Sequence, residues 1–169
     1  MAEQDNPDRE ELPVDPALRA RIGDFLLDVA HAIDDDRLEA WPQFFTERAT
    51  YRITTRENEE AGLPVGIMAC ASRGMLEDRI NALRTANIFE PHTYCHLLGP
   101  SRLRLVAPDL VAARTNFSVI RTMQNGESIL FAAGRYQDEI VIGREQPLLR
   151  SRTVVLESRR IDVLLVIPI

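Results

Sequence analysis

The sequence predicts an α+β protein with its helices first, packed on one face of a single curved, mainly antiparallel sheet. Two observations carry this. Residues 15 to 85 hold two amphipathic stretches at helical spacing, and from about His92 onward β-favouring runs separated by turn residues take over. No internal repeat or low-complexity segment interrupts that order.

Asp15 and Pro16 read as an N-cap and first helical residue. Leu18, Ile22, Phe25, Leu26, Val29 and Ile33 then form one apolar stripe that ends at Asp34-Asp35-Asp36. A short second helix is expected over Arg37 to Phe45, with Leu38, Trp41, Phe44 and Phe45 on one side as core material and Pro42 limiting its regularity. Thr50 to Thr55 reads as a strand, Tyr51 and Ile53 inward and Arg52 and Thr54 outward. ENEEAGLPVG reads as a loop and Val65 to Ala71 as another strand. Ser72 then caps a helix carrying Met75, Leu76, Ile80 and Leu83. Among the strands that follow, Asn125-Gly126 is the clearest hairpin turn, and Gly143 to Pro147 turns the chain again before Leu148 to Leu156. The closing IDVLLVIPI is costly to leave in water, so it is expected to pack into the sheet or a partner.

With 169 residues, 45% hydrophobic and 27% charged, residues 15–169 suit one globular domain. Residues 1–14 lack periodicity and read as a flexible acidic arm. Of the formal charge of -6, the arm carries -4 (Glu3, Asp5, Asp8, Glu10 and Glu11 against Arg9) and the remainder -2. A nearly neutral body gives no electrostatic footprint for nucleic acid or an anionic membrane. No apolar run is long enough to span a bilayer, and the acidic start is unlike a signal peptide, so a cytoplasmic location is expected. Every basic residue is Arg and none is Lys, which excludes Schiff-base and P-loop lysine chemistry within this chain. Cys70 and Cys95 are too few for a disulfide framework and read as buried thiols.

No nucleophile elbow, Walker loop, dinucleotide fingerprint or Rieske ligand pattern is present. His92-Thr93-Tyr94-Cys95-His96 looks at first like a metal site, but on a strand residues 92 and 96 lie about 13 Å apart, too far to share an ion. A hydrogen-bonded interior or interface histidine fits better. His31, one turn from Asp34 and Asp35, is explained by a surface charge pair. A cavity acid–base site built from His31, Tyr51 or His96 and an Asp is the catalytic alternative.

One run carries a resemblance. In MLEDRINALRTANIFEPHTYCHLLG, residues 75 to 99, Leu76-Glu77-Asp78-Arg79, then Leu83-Arg84-Thr85, then His96 resemble the pattern of the small (beta) subunits of aromatic-ring-hydroxylating dioxygenases, supported by AWPQFFTERATYRITT at residues 40–55 and by the closing IDVLLVIPI. Within that family the likeness is to members acting on aromatic carboxylates such as terephthalate. The resemblance implies the cone-shaped fold of scytalone dehydratase and nuclear transport factor two. It further implies a structural subunit of an α3β3 oxygenase, with self-association into a trimer. It assigns no cofactor, metal ligand or catalytic residue to this chain. The large (alpha) subunit is to hold the Rieske two-iron, two-sulfur cluster and a mononuclear Fe(II), fed with electrons by an NADH-dependent reductase. The acidic arm lies outside the family pattern, and Cys95 is not the residue type it leads one to expect.

Arg79 and Arg84, about 140° apart around a helix, fit a partner-facing role: one can pair locally with Asp78 or Glu77, and the other can fork to a carboxylate across an interface. Tyr94 and His96, outward on one strand face, are further interface candidates. The expectation is therefore an assembly subunit, and the alternative a stand-alone cone-fold dehydratase, isomerase or small-ligand binder.

Overall fold

The computed structural model describes residues 14–64, 66–86, 89–158 and 167–169. The expected arm, except Val14, therefore lies outside the described residues, as do Val65 and most of the closing apolar run. Helix α1 spans Pro16–Asp34, and the Asp15 side chain accepts a hydrogen bond from the Ala17 N–H at 3.3 Å. Its stripe buries Ile22, Phe25, Leu26, Val29 and Ile33.

The expected second helix shrinks to one 3-10 turn, Trp41–Phe44. Pro42 offers no N–H to extend it, and Phe45 is already extended because it opens strand β1 (Phe45–Thr55) and pairs with Leu149. Trp41, Phe45 and Tyr51 form an edge-to-face cluster, with centroids 5.0 Å (Trp41–Phe45) and 5.2 Å (Trp41–Tyr51) apart. Thr54, expected outward, is fully buried, since β1 runs between two strands and its neighbour Val155 is buried too.

The expected loop begins as a short helix, α2 (Arg56–Glu60). Thr55 Oγ1 accepts from the Asn58 N–H at 3.3 Å, Glu57 and Glu59 sit in its first turn, and Arg56 pairs with Glu60 at 2.7 Å. Strand β2 is only Met68–Cys70. Ser72 Oγ then accepts from the Met75 N–H at 3.2 Å and caps α3 (Arg73–Thr85), which buries Leu76, Ile80 and Leu83 and leaves Met75 exposed.

Five strands follow: β3 (His92–Leu98), β4 (Arg102–Ala107), β5 (Leu110–Met123), β6 (Ser128–Val141) and β7 (Leu148–Leu156). The sheet order is β2-β1-β7-β6-β5-β3, with β4 also on β5. The first half of β5 carries β4 and its second half β3. All pairs are antiparallel except β1 with β7. Gly126 (φ 87°) closes the β5–β6 hairpin at the expected place, in a left-handed conformation that glycine adopts without strain. At Gly134 the chain needs glycine for space: a Cβ there would sit 2.1 Å from the Val155 carbonyl oxygen. Bulges between Val119 and Ile120 and between Glu139 and Ile140 add twist, and the curved sheet wraps its concave face around α1 and α3. Ile167 and Ile169 are buried in that core, as expected for the end of the apolar run.

Candidate functional site

On the inward face of β3 stand His92, Tyr94 and His96, because alternate residues of a strand share a face. Asp34, the last residue of α1, reaches His96 with both oxygens. Its Oδ2 accepts from the His96 backbone N–H at 2.8 Å and its Oδ1 lies 2.5 Å from Nδ1. The His96 side chain is 1% exposed and that of Asp34 15%. A carboxylate at Nδ1 favours the tautomer with the proton there, which turns Nε2 into an acceptor. Among the described residues Nε2 has no hydrogen-bond partner, although it is buried.

Tyr94 packs between the two imidazoles, 5.2 Å from His92 and 6.3 Å from His96, and stacks on Phe131 at 5.2 Å. The Arg121 guanidinium lies 4.9 Å from the Phe131 ring centroid. Burial pushes the Tyr94 phenol well above its ordinary pKa. Among the described residues no group of three or more His, Cys, Asp or Glu side chains is placed to hold a metal ion. The outward orientation expected for Tyr94 and His96 is corrected: the face of β3 that carries them packs toward α1, whose Asp34 bonds to His96, and both residues are buried within the chain.

His31, Tyr51 and His96 do not form one acid–base site. His31 is exposed on α1, while Tyr51 is buried and its hydroxyl donates to the Ile169 carbonyl at 2.7 Å. Burial raises the Tyr51 phenol pKa strongly. The partner of His96 is Asp34, expected from its spacing to pair with His31 at the surface.

A buried ion pair went unforeseen. Arg152 Nε and Nη2 donate to Asp138 Oδ1 and Oδ2, both at 2.8 Å, and their side chains are 3% and 0% exposed. The guanidinium stacks 4.2 Å from the Tyr136 centroid, and Tyr136 stacks on Phe117 at 4.2 Å. Burial opposes the charge on Arg152, but Asp138 outweighs it, and the Arg152 pKa is raised. The available signal was phase: Arg152 alternates with Val154, and Asp138 with Tyr136 and Ile140, so both charges fall on the apolar face of their strands.

Arg84 does fork to carboxylates, but within its own chain. Its Nε donates to Glu39 Oε1 at 2.7 Å, Nη1 to Asp36 Oδ2 at 3.0 Å and Nη2 to the Asp36 carbonyl at 3.0 Å. The end of α3 is thereby tied to the turn after α1, where Asp36 adopts φ 56°. The hydrogen bond from Arg84 lowers the Glu39 pKa, and Glu39 and Asp36 together raise that of Arg84. Arg79 is half-buried on α3, close enough to Tyr51 and Cys70 for its charge to stabilise phenolate and thiolate.

The convex face divides in two. Toward β3, Cys95, Ile120 and Leu130 are aligned across three strands, with Leu97 beside them, and Leu97 and Leu130 are 52% and 67% exposed. Cys95, expected to be buried, is exposed because it alternates with the inward Tyr94 and His96. Toward β4 and β7 lies a groove of about 550 Å³ lined by Arg102, Arg104, Arg114, Gln137, Glu139 and Ser151. No described helix is long and apolar enough to cross a membrane.

Residues 29–163 match the family described as Ring hydroxylating beta subunit. The chain is 39% identical over 137 residues to the anthranilate 1,2-dioxygenase small subunit of Burkholderia cepacia, covering 81% of this chain and 85% of that one. It is 38% identical over 149 residues to terephthalate 1,2-dioxygenase, terminal oxygenase component subunit beta 1, of Comamonas sp, covering 88% and 97%. A crystal structure described as the beta subunit of an aromatic-ring-hydroxylating dioxygenase from Novosphingobium aromaticivorans superposes with a TM-score of 0.83 at 38% identity, covering 90% of this chain and 97% of that one. The α+β cone is also that of a chain from the same organism described as a scytalone dehydratase, a likeness of fold alone at 14% identity. By the family match across most of its length and by these relatives, the chain belongs to the beta subunits of aromatic-ring-hydroxylating dioxygenases.

Proposed function

We propose that this chain is the assembly subunit of a cytoplasmic α3β3 oxygenase that cis-dihydroxylates an aromatic carboxylate of the terephthalate kind. In this reading the alpha subunit holds the Rieske cluster and the mononuclear Fe(II), an NADH-dependent reductase supplies the electrons, and this chain contributes no catalytic centre. The aromatic carboxylate rests on the names of the relatives, which act on anthranilate and terephthalate. The observation that carries the assembly role is the apolar row on the convex sheet face, in which Cys95, Leu97 and Leu130 are exposed and Ile120 is half-buried between them. Tyr94 and His96 serve this interface from beneath: by anchoring β3 inward they hold Cys95 and Leu97 outward. Arg84 serves it by fixing the end of α3 against the turn after α1, and Arg79 lies on the same helix.

Co-expression with the large (alpha) oxygenase chain, read by native mass and iron content, tests the proposal. An iron-containing hetero-hexamer is expected, with Leu97→Glu/Leu130→Glu reducing assembly at least about tenfold while the fold persists by circular dichroism. A monodisperse, iron-free particle that ignores the large chain overturns it. The His96 Nε2, without a hydrogen-bond partner among the described residues, favours a second reading, a small-ligand binder or dehydratase in the cone. Under that reading His96→Gln abolishes ligand binding or turnover and leaves assembly unchanged.

A further inference from the structure

We propose that the acidic segment 1–13 seats in the arginine groove on the convex face of its own chain. The groove lies over two adjacent cross-strand rows, Arg102–Arg114–Gln137–Thr153 and Arg104–Ala112–Glu139–Ser151. Its acidic groups are already engaged. Asp138 is held by Arg152, and Glu139 accepts from Arg150 at 3.0 Å and from Ser151 Oγ at 3.1 Å. Arg104 and Arg114 are exposed and make no ion pair among the described residues. Like charges side by side on one sheet face are unfavourable, and an acidic strip laid across them relieves that repulsion.

The chain carries such a strip where it can reach. Segment 1–13 holds Glu3, Asp5, Asp8, Glu10 and Glu11 against Arg9. Its downstream end is fixed: Val14 packs against the core and Pro16 opens α1. Arg21 Nη2 donates to the Gly143 carbonyl at 2.6 Å and lies 3.4 Å from that of Arg144, so the first turns of α1 lie against the β6–β7 turn. From that turn β6 and β7 lead directly to Glu139 and Ser151 at the groove. The path from Val14 past Gly143 to Glu139 is about 30 Å at ordinary helix and strand rises. Thirteen extended residues reach about 43 Å. The tether holds the segment at high effective concentration within reach of the groove.

The absence of lysine supplies a clean test. Arg104→Lys or Arg114→Lys gives the full chain a single side-chain amine, and zero-length carbodiimide coupling then reports by peptide mass which carboxylate lies beside it. Coupling to Glu3 or Asp5, the carboxylates far enough from Val14 to span the path, is expected, within one chain when isotope-labelled and unlabelled protein are mixed, and reduced about fivefold in 1 M salt. As a second measurement, Arg104→Glu/Arg114→Glu is expected to speed trypsin cleavage after Arg9 about tenfold without altering the circular dichroism spectrum. Coupling only to Glu139, to a neighbouring copy or to the large subunit overturns the proposal, as does equal cleavage in the two proteins.

Discussion

Two guanidinium forks in this molecule use the same chemistry at opposite depths. Arg152 grips Asp138 inside the cone at 3% and 0% side-chain exposure, while Arg84 grips Asp36 and Glu39 at the surface, at 36% exposure against 69% and 63%. The surface fork makes more hydrogen bonds, yet water and salt screen them, and exposed pairs contribute about 0–1 kcal/mol. The buried pair has shed its water, so each partner depends on the other. The lesson is that contact number does not rank these arginines; the fate of the charge left behind does.

Breaking the inner pair should therefore have the largest effect. Asp138→Ala leaves the Arg152 charge buried and should cost about 3–5 kcal/mol, read as a lowered urea midpoint. Replacing both partners, Asp138→Leu with Arg152→Met, should recover most of that loss, and a double mutant as unstable as the single would contradict the desolvation argument. Between the two forks in depth lies the Asp34–His96 clasp. Asp34→Asn should cost about 1–3 kcal/mol, since it weakens bonds to both the backbone and the ring of His96.

All three tyrosines, Tyr51, Tyr94 and Tyr136, are buried, with phenol pKa values raised by burial. A raised pKa stabilises the fold fully below the unfolded value near 10, and that contribution drains away as pH climbs above it. Phenolate absorbance should consequently appear in one cooperative step that coincides with alkaline unfolding. A gradual titration in the folded protein would show that a ring is accessible. The smallest effect belongs to the outer fork. Arg84→Ala should cost no more than about 1 kcal/mol, less at high salt, and if it matches Asp138→Ala the contrast between the forks fails. Because Arg84 lowers the Glu39 pKa, the fork's contribution is present above the ordinary carboxylate range and lost as pH falls below it.

Helix α1, the cap at Ser72 and the Asn125-Gly126 hairpin were legible because each is decided by neighbours in sequence. What failed was decided at a distance. Residues 37–45 have the apolar content of a helix, but pairing of Phe45 with Leu149 draws the chain into β1. The missed helix α2 did leave a local trace, a Thr55 cap with Glu57 and Glu59 after it. The family run located the right segment, yet its side chains face otherwise than expected, since strand phase fixes alternation and not which phase points inward. Asp34 illustrates the same limit: one turn from His31 in sequence, it bonds to His96 across 62 positions.

The only parallel pairing among the described strands joins β1 to β7, with Tyr51 opposite Arg152 and about one hundred residues between them. Until β7 has been synthesised, β1 has along its length only the three-residue β2 to pair with. The nascent chain thus carries a strand with one edge open while about one hundred further residues are made, and the β1–β7 pairing that follows joins β1 to the rest of the sheet. Folding of this kind is late and slow, because a long loop must close before the contact that rewards it forms. Expression yield should accordingly depend on chaperone capacity during synthesis, and a chain stopped before Leu148 should accumulate as aggregate rather than as a smaller folded cone.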